Sequence, residues 1–111
     1  MDKNIVIAAE EGIKRVVNNK ALYYKLLGSF SGRKLILKIV ESLEQNDFAG
    51  AEANCHALRG TAANLAMHAL AITAEKVEAE LKNGNHPGEL IQTLQTDLEE
   101  VEAEIERLIA E

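Results

Sequence analysis

Apolar residues recur at steps of three and four along almost the whole chain, and no stretch sustains the two-residue alternation of a strand. A first short helix is expected from about Ala8 to Val17, broken by Asn18-Asn19. A second runs from about Lys20 to Phe30, with Leu22, Leu26, Leu27 and Phe30 on one side. Ser29, Ser31 and Gly32 form a weak joint, and Ser31 is the expected cap of a third stretch. There Leu35, Ile36, Ile39, Val40 and Leu43 carry the apolar face to about Gln45. Asn46-Asp47 reads as a tight turn with Asp47 as the N-cap of the next helix. That helix has one apolar stripe of Phe48, Ala51, Cys55, Leu58, Ala62 and Leu65, and is expected to end near Ala66 to His68. Leu70, Ala74, Val77 and Leu81 mark another segment to Asn83, where Asn83-Gly84 is a C-terminal stop. Pro87 suits the first turn of a last helix, whose stripe is Ile91, Leu94, Leu98, Val101, Ile105 and Leu108.

Short turns between amphipathic helices imply antiparallel neighbours. The fold expected is all-α, an antiparallel up-and-down four-helix bundle with a short additional N-terminal helix or helices, in one domain over residues 1–111. The breaks at residues 46–47 and 84–87 favour an intramolecular bundle over a coiled coil.

Composition agrees with this picture. Hydrophobic residues make up 47% and aromatics only 4%, with no Trp and a single Pro, so the core is aliphatic. No apolar run approaches the roughly 18 residues that span a bilayer. Residues 1–11 lack the basic-then-apolar profile of a signal peptide. The lone Cys55 falls on a buried stripe, and a chain with one cysteine forms no internal disulfide; a cytoplasmic home and no membrane contact are expected. The net charge of −6 argues against a nucleic-acid partner. That charge is uneven: residues 1–59 carry nine Lys/Arg against seven Asp/Glu, and residues 60–111 carry three against eleven. One reading is solvated helix faces; the other is an acidic partner that docks on the less acidic side.

The candidate chemistry lies in the fourth helix. His56 projects roughly 130° from the middle of the apolar stripe, so its imidazole faces solvent. Around it stand Ala49, Ala53, Ala57, Gly60 and Ala63, a trimmed surface where long polar side chains are the norm. Gly60 is costly there, since a mid-helix glycine loses about 1 kcal/mol relative to alanine. Arg59, three residues after the histidine, shares its part of the helix surface. A neutral imidazole is a nucleophile that can accept a phosphoryl group and release it, and a guanidinium beside it can steady phosphate oxygens. Other chemistries find no support. There is no GxxxxGK or GxGxxG run, no Glu three residues before any histidine, and no Cys/His set of zinc spacing. Cys55 and His56 are adjacent, and on a helix their side chains diverge.

The run His56-Ala57-Leu58-Arg59-Gly60-Thr61-Ala62-Ala63-Asn64-Leu65 closely resembles the signature of histidine-containing phosphotransfer domains, roughly His-x-Leu-Lys-Gly-x-Ala-x-Asn-Leu-Gly. Glu11-Gly12-Ile13, Arg15, Leu22-Tyr23, Leu26-Leu27 and Phe30 resemble the family's N-terminal helices, and Leu70, Ala74 and Leu81 the segment after the active helix. The resemblance implies a phosphorelay intermediate without kinase activity of its own. In it His56 takes a phosphoryl group from a receiver-domain aspartate, passes it to another receiver, and is assisted by Arg59. The implied partners are response-regulator receiver domains and a sensor histidine kinase, in cis or in trans, with a monomer as the working form. No cofactor is implied for this domain; Mg²⁺ is expected in the partner receiver. Ala53, Gly60, Ala63, Asn64 and Ile72 are the expected docking residues. Two positions depart from the pattern: Arg59 stands where Lys is most frequent, and Ala66 where Gly is common.

Two rival readings remain at this point. A helical adaptor would dock a receiver or another partner on the same face without accepting phosphate. A dimerising bundle of the sensor-kinase kind usually sets its histidine next to an acidic residue, and here Cys55 and Ala57 flank it. Whether the domain stands alone or belongs to a hybrid sensor kinase is open. Of the remaining residues, Ile13, Val16 and Val17 are divided between core and partner contact, with at least two expected in the core. Only one of Tyr23 and Tyr24 is expected to face inward. His68 and His86, at a helix boundary and in a turn, are expected to cap or be solvated.

Overall fold

The computed structural model describes residues 6–110. Six helices occur among them: α1 (Ala9–Arg15), α2 (Lys20–Gly28), α3 (Gly32–Glu44), α4 (Phe48–Asn64), α5 (His68–Lys82) and α6 (Glu89–Ala110). Helices α3 to α6 form the expected bundle, in which α4 packs most extensively against α5 and α3. The two short helices α1 and α2 are the additional N-terminal pair. Ile39, Cys55, Leu58, Leu70, Val77 and Leu94 are among the fully buried side chains at its centre. No described helix is long and apolar enough to cross a membrane.

The joints show which local signals hold. Asp47 caps α4 as expected, its carboxylate accepting the Gly50 N–H at 2.9 Å. A Cβ at Gly50 would lie 2.3 Å from that carboxylate, so the close cap depends on glycine. Asn19 caps α2 in the same way through the Leu22 N–H. Ser31 does not cap α3; the Phe30 ring instead packs over the first turn, where it would meet a Cβ on Gly32 at 2.4 Å. Pro87 lies before the last helix instead of in its first turn. Gly88 adopts φ +59°, a left-handed conformation that delays the helix to Glu89. The α4–α5 turn passes through Ala66 at φ +61°, the conformation that makes glycine common at that position.

Helix α2 turns differently from the expectation. Tyr23 and Leu27 face the core, while Leu22 and Leu26 are exposed. The reason is tertiary: the buried Tyr23 hydroxyl donates to the Leu65 carbonyl at 2.7 Å, tying α2 to the end of α4. Gly12 admits this ring, since a Cβ there would sit 2.2 Å from it. Arg15 and Glu11 of α1 complete the attachment. Arg15 donates to the Ala63 carbonyl at 2.7 Å and to Glu11, and Glu11 meets Nε2 of His68 at 2.8 Å. Ile13 and Val16 pack against the core, whereas Val17 is exposed.

Candidate functional site

Helix α4 divides into two faces. Ala51, Cys55, Leu58 and Ala62 are buried on one side. On the other, Ala53, His56, Ala57, Gly60 and Asn64 are exposed, spaced as neighbours along one outer stripe. The His56 side chain is 64% exposed, so the imidazole is open to an incoming group. A Cβ at Gly60 would meet no atom within 4 Å, so nothing inside the molecule requires the glycine. Ala63 is half-buried at the end of the stripe, and Ile72 of α5 is 52% exposed. Arg59, Ala63, Ile72 and Glu75 share a hollow on that side of the histidine. Asn64 is exposed and makes no hydrogen bond to His56 among the described residues; the partner of the imidazole is another residue.

That partner is Glu78. It stands on α5 at the spacing of the core stripe, four residues after Ala74 and three before Leu81, and it is 5% exposed. Its Oε2 lies 2.9 Å from His56 Nδ1, and its Oε1 accepts from Arg59 Nε at 2.9 Å. Lys82 Nζ is 3.8 Å from Oε2. A charged group this deep is tolerated only when matched by charge and hydrogen bonds. Burial pushes the Glu78 carboxyl upward, but the hydrogen bond from His56 and the charges of Arg59 and Lys82 outweigh it and hold the group below the usual carboxylate range.

The carboxylate also selects the tautomer of the ring. An ionised Oε2 only accepts, so the nitrogen 2.9 Å away must carry the proton. Arg59 Nη2, 3.0 Å from the same nitrogen, then finds no lone pair there, and its contribution is charge. The other nitrogen, Nε2, keeps its lone pair and has no hydrogen-bond partner among the described residues. The site is thus an exposed nucleophilic nitrogen on a ring held from behind by a carboxylate.

Sequence reasoning missed Glu78 and Lys82. The signal for Glu78 was present, a carboxylate in register with the buried positions of α5. Cys55, adjacent to the histidine, takes no part: its thiol donates to the Ala74 carbonyl, and burial pushes it up to about 12. Of the other histidines, His68 pairs with Glu11 and His86 accepts the Gly88 N–H. Among the described residues no three His, Cys, Asp or Glu side chains gather as a metal-binding group.

The same frame occurs in a solved structure, the HPT domain of an Hpt sensor hybrid histidine kinase from Shewanella. It superposes with a TM-score of 0.81 at 19% identity, over 95% of this chain and 94% of that one. At that identity the likeness is one of fold. Curated proteins give no match. The family model of the Hpt domain matches residues 30–109, from the joint between α2 and α3 almost to the end of α6. This chain belongs to the Hpt domain family, and its role is histidine phosphotransfer in a phosphorelay.

Proposed function

We propose that His56 is the phosphoacceptor, and that it takes its phosphoryl group from the aspartate of one receiver domain and hands it to the aspartate of another. The observation that carries this reading is the exposed imidazole with its Nδ1 on the buried carboxylate of Glu78. In the forward step the Nε2 lone pair attacks phosphorus. The P–N bond forms as the bond from phosphorus to the receiver's aspartate oxygen breaks, and the carboxylate leaves with that electron pair. The proton stays on Nδ1, so the ring gains positive charge beside Glu78, which stabilises it where it develops. Reversal uses the same arrangement: the ring is positively charged while bonded to phosphorus, takes back the P–N electron pair on Nε2 and departs as neutral imidazole, a good leaving group.

Arg59 steadies the phosphoryl oxygens, and its planar fork fills the part that a lysine point charge plays elsewhere. Ala53, Gly60, Ala63, Asn64 and Ile72 form the surface against which the receiver closes. The receiver supplies Mg²⁺ and the acidic pocket, so catalysis is chiefly in-line positioning and charge stabilisation across the interface. The chain acts as a monomeric, cytoplasmic relay without kinase activity, charged from a sensor kinase through its receiver.

The test is phosphoryl transfer from a phosphorylated receiver to the purified chain, beside His56→Gln. An acid-labile, alkali-stable phosphate on the wild type and none on the variant is the expected result. Receivers that bind but transfer nothing to the wild type would overturn the reading and leave an adaptor.

A further inference from the structure

Helices α1, α4 and α5 meet around the hollow on the Arg59 side of His56. Its lining is apolar in the middle: Ala63 is half-buried, Ala71 is buried, and Ile72 beside them is exposed. Charged groups stand at its edges, and most of them are already matched. Glu11 of α1 pairs with Arg15 at 2.9 Å and meets Nε2 of His68 at 2.8 Å. Arg15 also holds the Ala63 carbonyl at 2.7 Å, so the α1 wall is fastened to the end of α4. Arg59 is held by Glu78. Glu75 of α5 is the exception. It is exposed, and it makes no hydrogen bond or ion pair among the described residues. It lies three residues after Ile72 and four after Ala71, so its carboxylate shares their part of the helix surface.

We propose that this hollow takes one long basic side chain of the receiver, and that Glu75, by pairing with its cation, selects among receivers. This rests on the reading that a receiver closes on this face of α4. Lysine and arginine are the side chains that join an apolar stem to a charged head. The hollow offers the matching pair of surfaces, with Ala63, Ala71 and Ile72 for the stem and the Glu75 carboxylate for the head. The other edge charges are committed to neighbours, so an incoming cation finds its partner at Glu75. An acidic side chain would meet like charge there, and a neutral one would displace water from the carboxylate without replacing it. Selection thus has both an attractive and a repulsive part. An ion pair at the rim of an interface adds modestly to affinity and more to the choice of partner.

The probe is a receiver domain that phosphorylates the wild type, titrated against wild type, Glu75→Gln, Glu75→Lys and Glu100→Gln at low and high salt. Glu100 is exposed on α6, outside the hollow, and controls for net charge. Glu75→Gln is expected to bind about two to five times more weakly, the range of an exposed ion pair. Glu75→Lys should lose about tenfold or more through like charge. Both losses should shrink as salt screens the pair, with Glu100→Gln close to wild type. The receiver's lysines and arginines are then changed to Glu one at a time, and one of these reversals should restore binding to Glu75→Lys. Equal affinity of Glu75→Gln and wild type would overturn the proposal while His56 remains the acceptor. A loss shared by Glu100→Gln, or one that no receiver reversal offsets, would also overturn it. A wild type that takes up no phosphate from any receiver would remove the parent reading and this one together.

Discussion

Oε2 of Glu78 lies 2.9 Å from Nδ1 of His56 across the α4–α5 seam, with the carboxylate almost wholly buried and the imidazole mostly exposed. The contact joins the two halves of the site's chemistry. Burial fixes the carboxylate in place, and exposure leaves the far side of the ring free to react. One hydrogen bond sets the orientation of the imidazole, its tautomer and, in the proposed transfer, the charge available to it when Nε2 bonds phosphorus.

Removing the charge while keeping an acceptor should isolate the electrostatic part. In Glu78→Gln the amide oxygen still accepts from Nδ1, but a neutral hydrogen bond is about half as strong as a charge-assisted one. The difference, about 1–1.5 kcal/mol, corresponds to about a tenfold slower transfer from a phosphorylated receiver. Glu78→Ala also releases the ring and should be slower still. Rapid-quench measurement of transfer at saturating receiver checks both, with receiver binding little changed.

The same carboxylate gives stability a pH dependence. Folding holds the Glu78 carboxyl below its ordinary value of 4.5, so between the two values the unfolded chain binds more protons than the folded one. The contribution of the ionised group is therefore in place above 4.5 and is lost as pH falls through the lowered folded value. Urea unfolding of wild type and Glu78→Gln over a pH series should show the wild type ahead above 4.5 and the gap closing below it. A gap that persisted in strong acid would mean that the amide is penalised for its shape, and not for its missing charge.

Val17 offers a test of the backbone away from the site. It adopts φ +56° at the end of α1 while its side chain is 88% exposed. A β-branched residue in that conformation is strained, and here no packing compensates. Val17→Gly removes about 1–2 kcal/mol of strain and returns part of it through the more flexible unfolded chain. A net gain of about 0.5–1 kcal/mol in chemical denaturation is expected, with transfer from a receiver unchanged.

The parts of this molecule that depend on neighbours in sequence were legible in it. The stripe of Ala51, Cys55, Leu58 and Ala62 fixed the inner face of α4 and hence the outward direction of His56. Asp47, three residues before Gly50, marked the start of the same helix. What escaped depends on contacts between distant segments. Leu22 and Leu26 read as the inner side of α2 together with Leu27, yet the hydroxyl of Tyr23 reaching Leu65 turns the Tyr23–Leu27 face inward and leaves the other two exposed. Glu78 was passed over because a charged residue is solvated by default, although its register placed it among buried positions. Its hydrogen-bond partners His56 and Arg59 come from α4, some twenty residues earlier, and no local pattern announces them. The clasp of Glu11 and Arg15 on the α4–α5 corner is hidden for the same reason.

Gly60 separates the needs of the fold from those of the partner. It lies mid-helix, exposed, with open space where a Cβ would project, so the isolated domain bears the propensity cost of glycine without any internal return. Gly60→Ala should stabilise the domain by about 0.5–1 kcal/mol, visible as a higher denaturation midpoint. If the glycine exists to let a receiver approach His56, the methyl should weaken docking modestly. Gly60→Gln, whose long side chain stands one turn beyond the histidine on the same stripe, should weaken it far more at little cost in stability. Receiver titrations should then show affinity falling from glycine to alanine to glutamine while stability does not. A Gly60→Gln variant that bound and transferred as well as wild type would remove Gly60 from the docking surface and leave its presence in α4 unexplained.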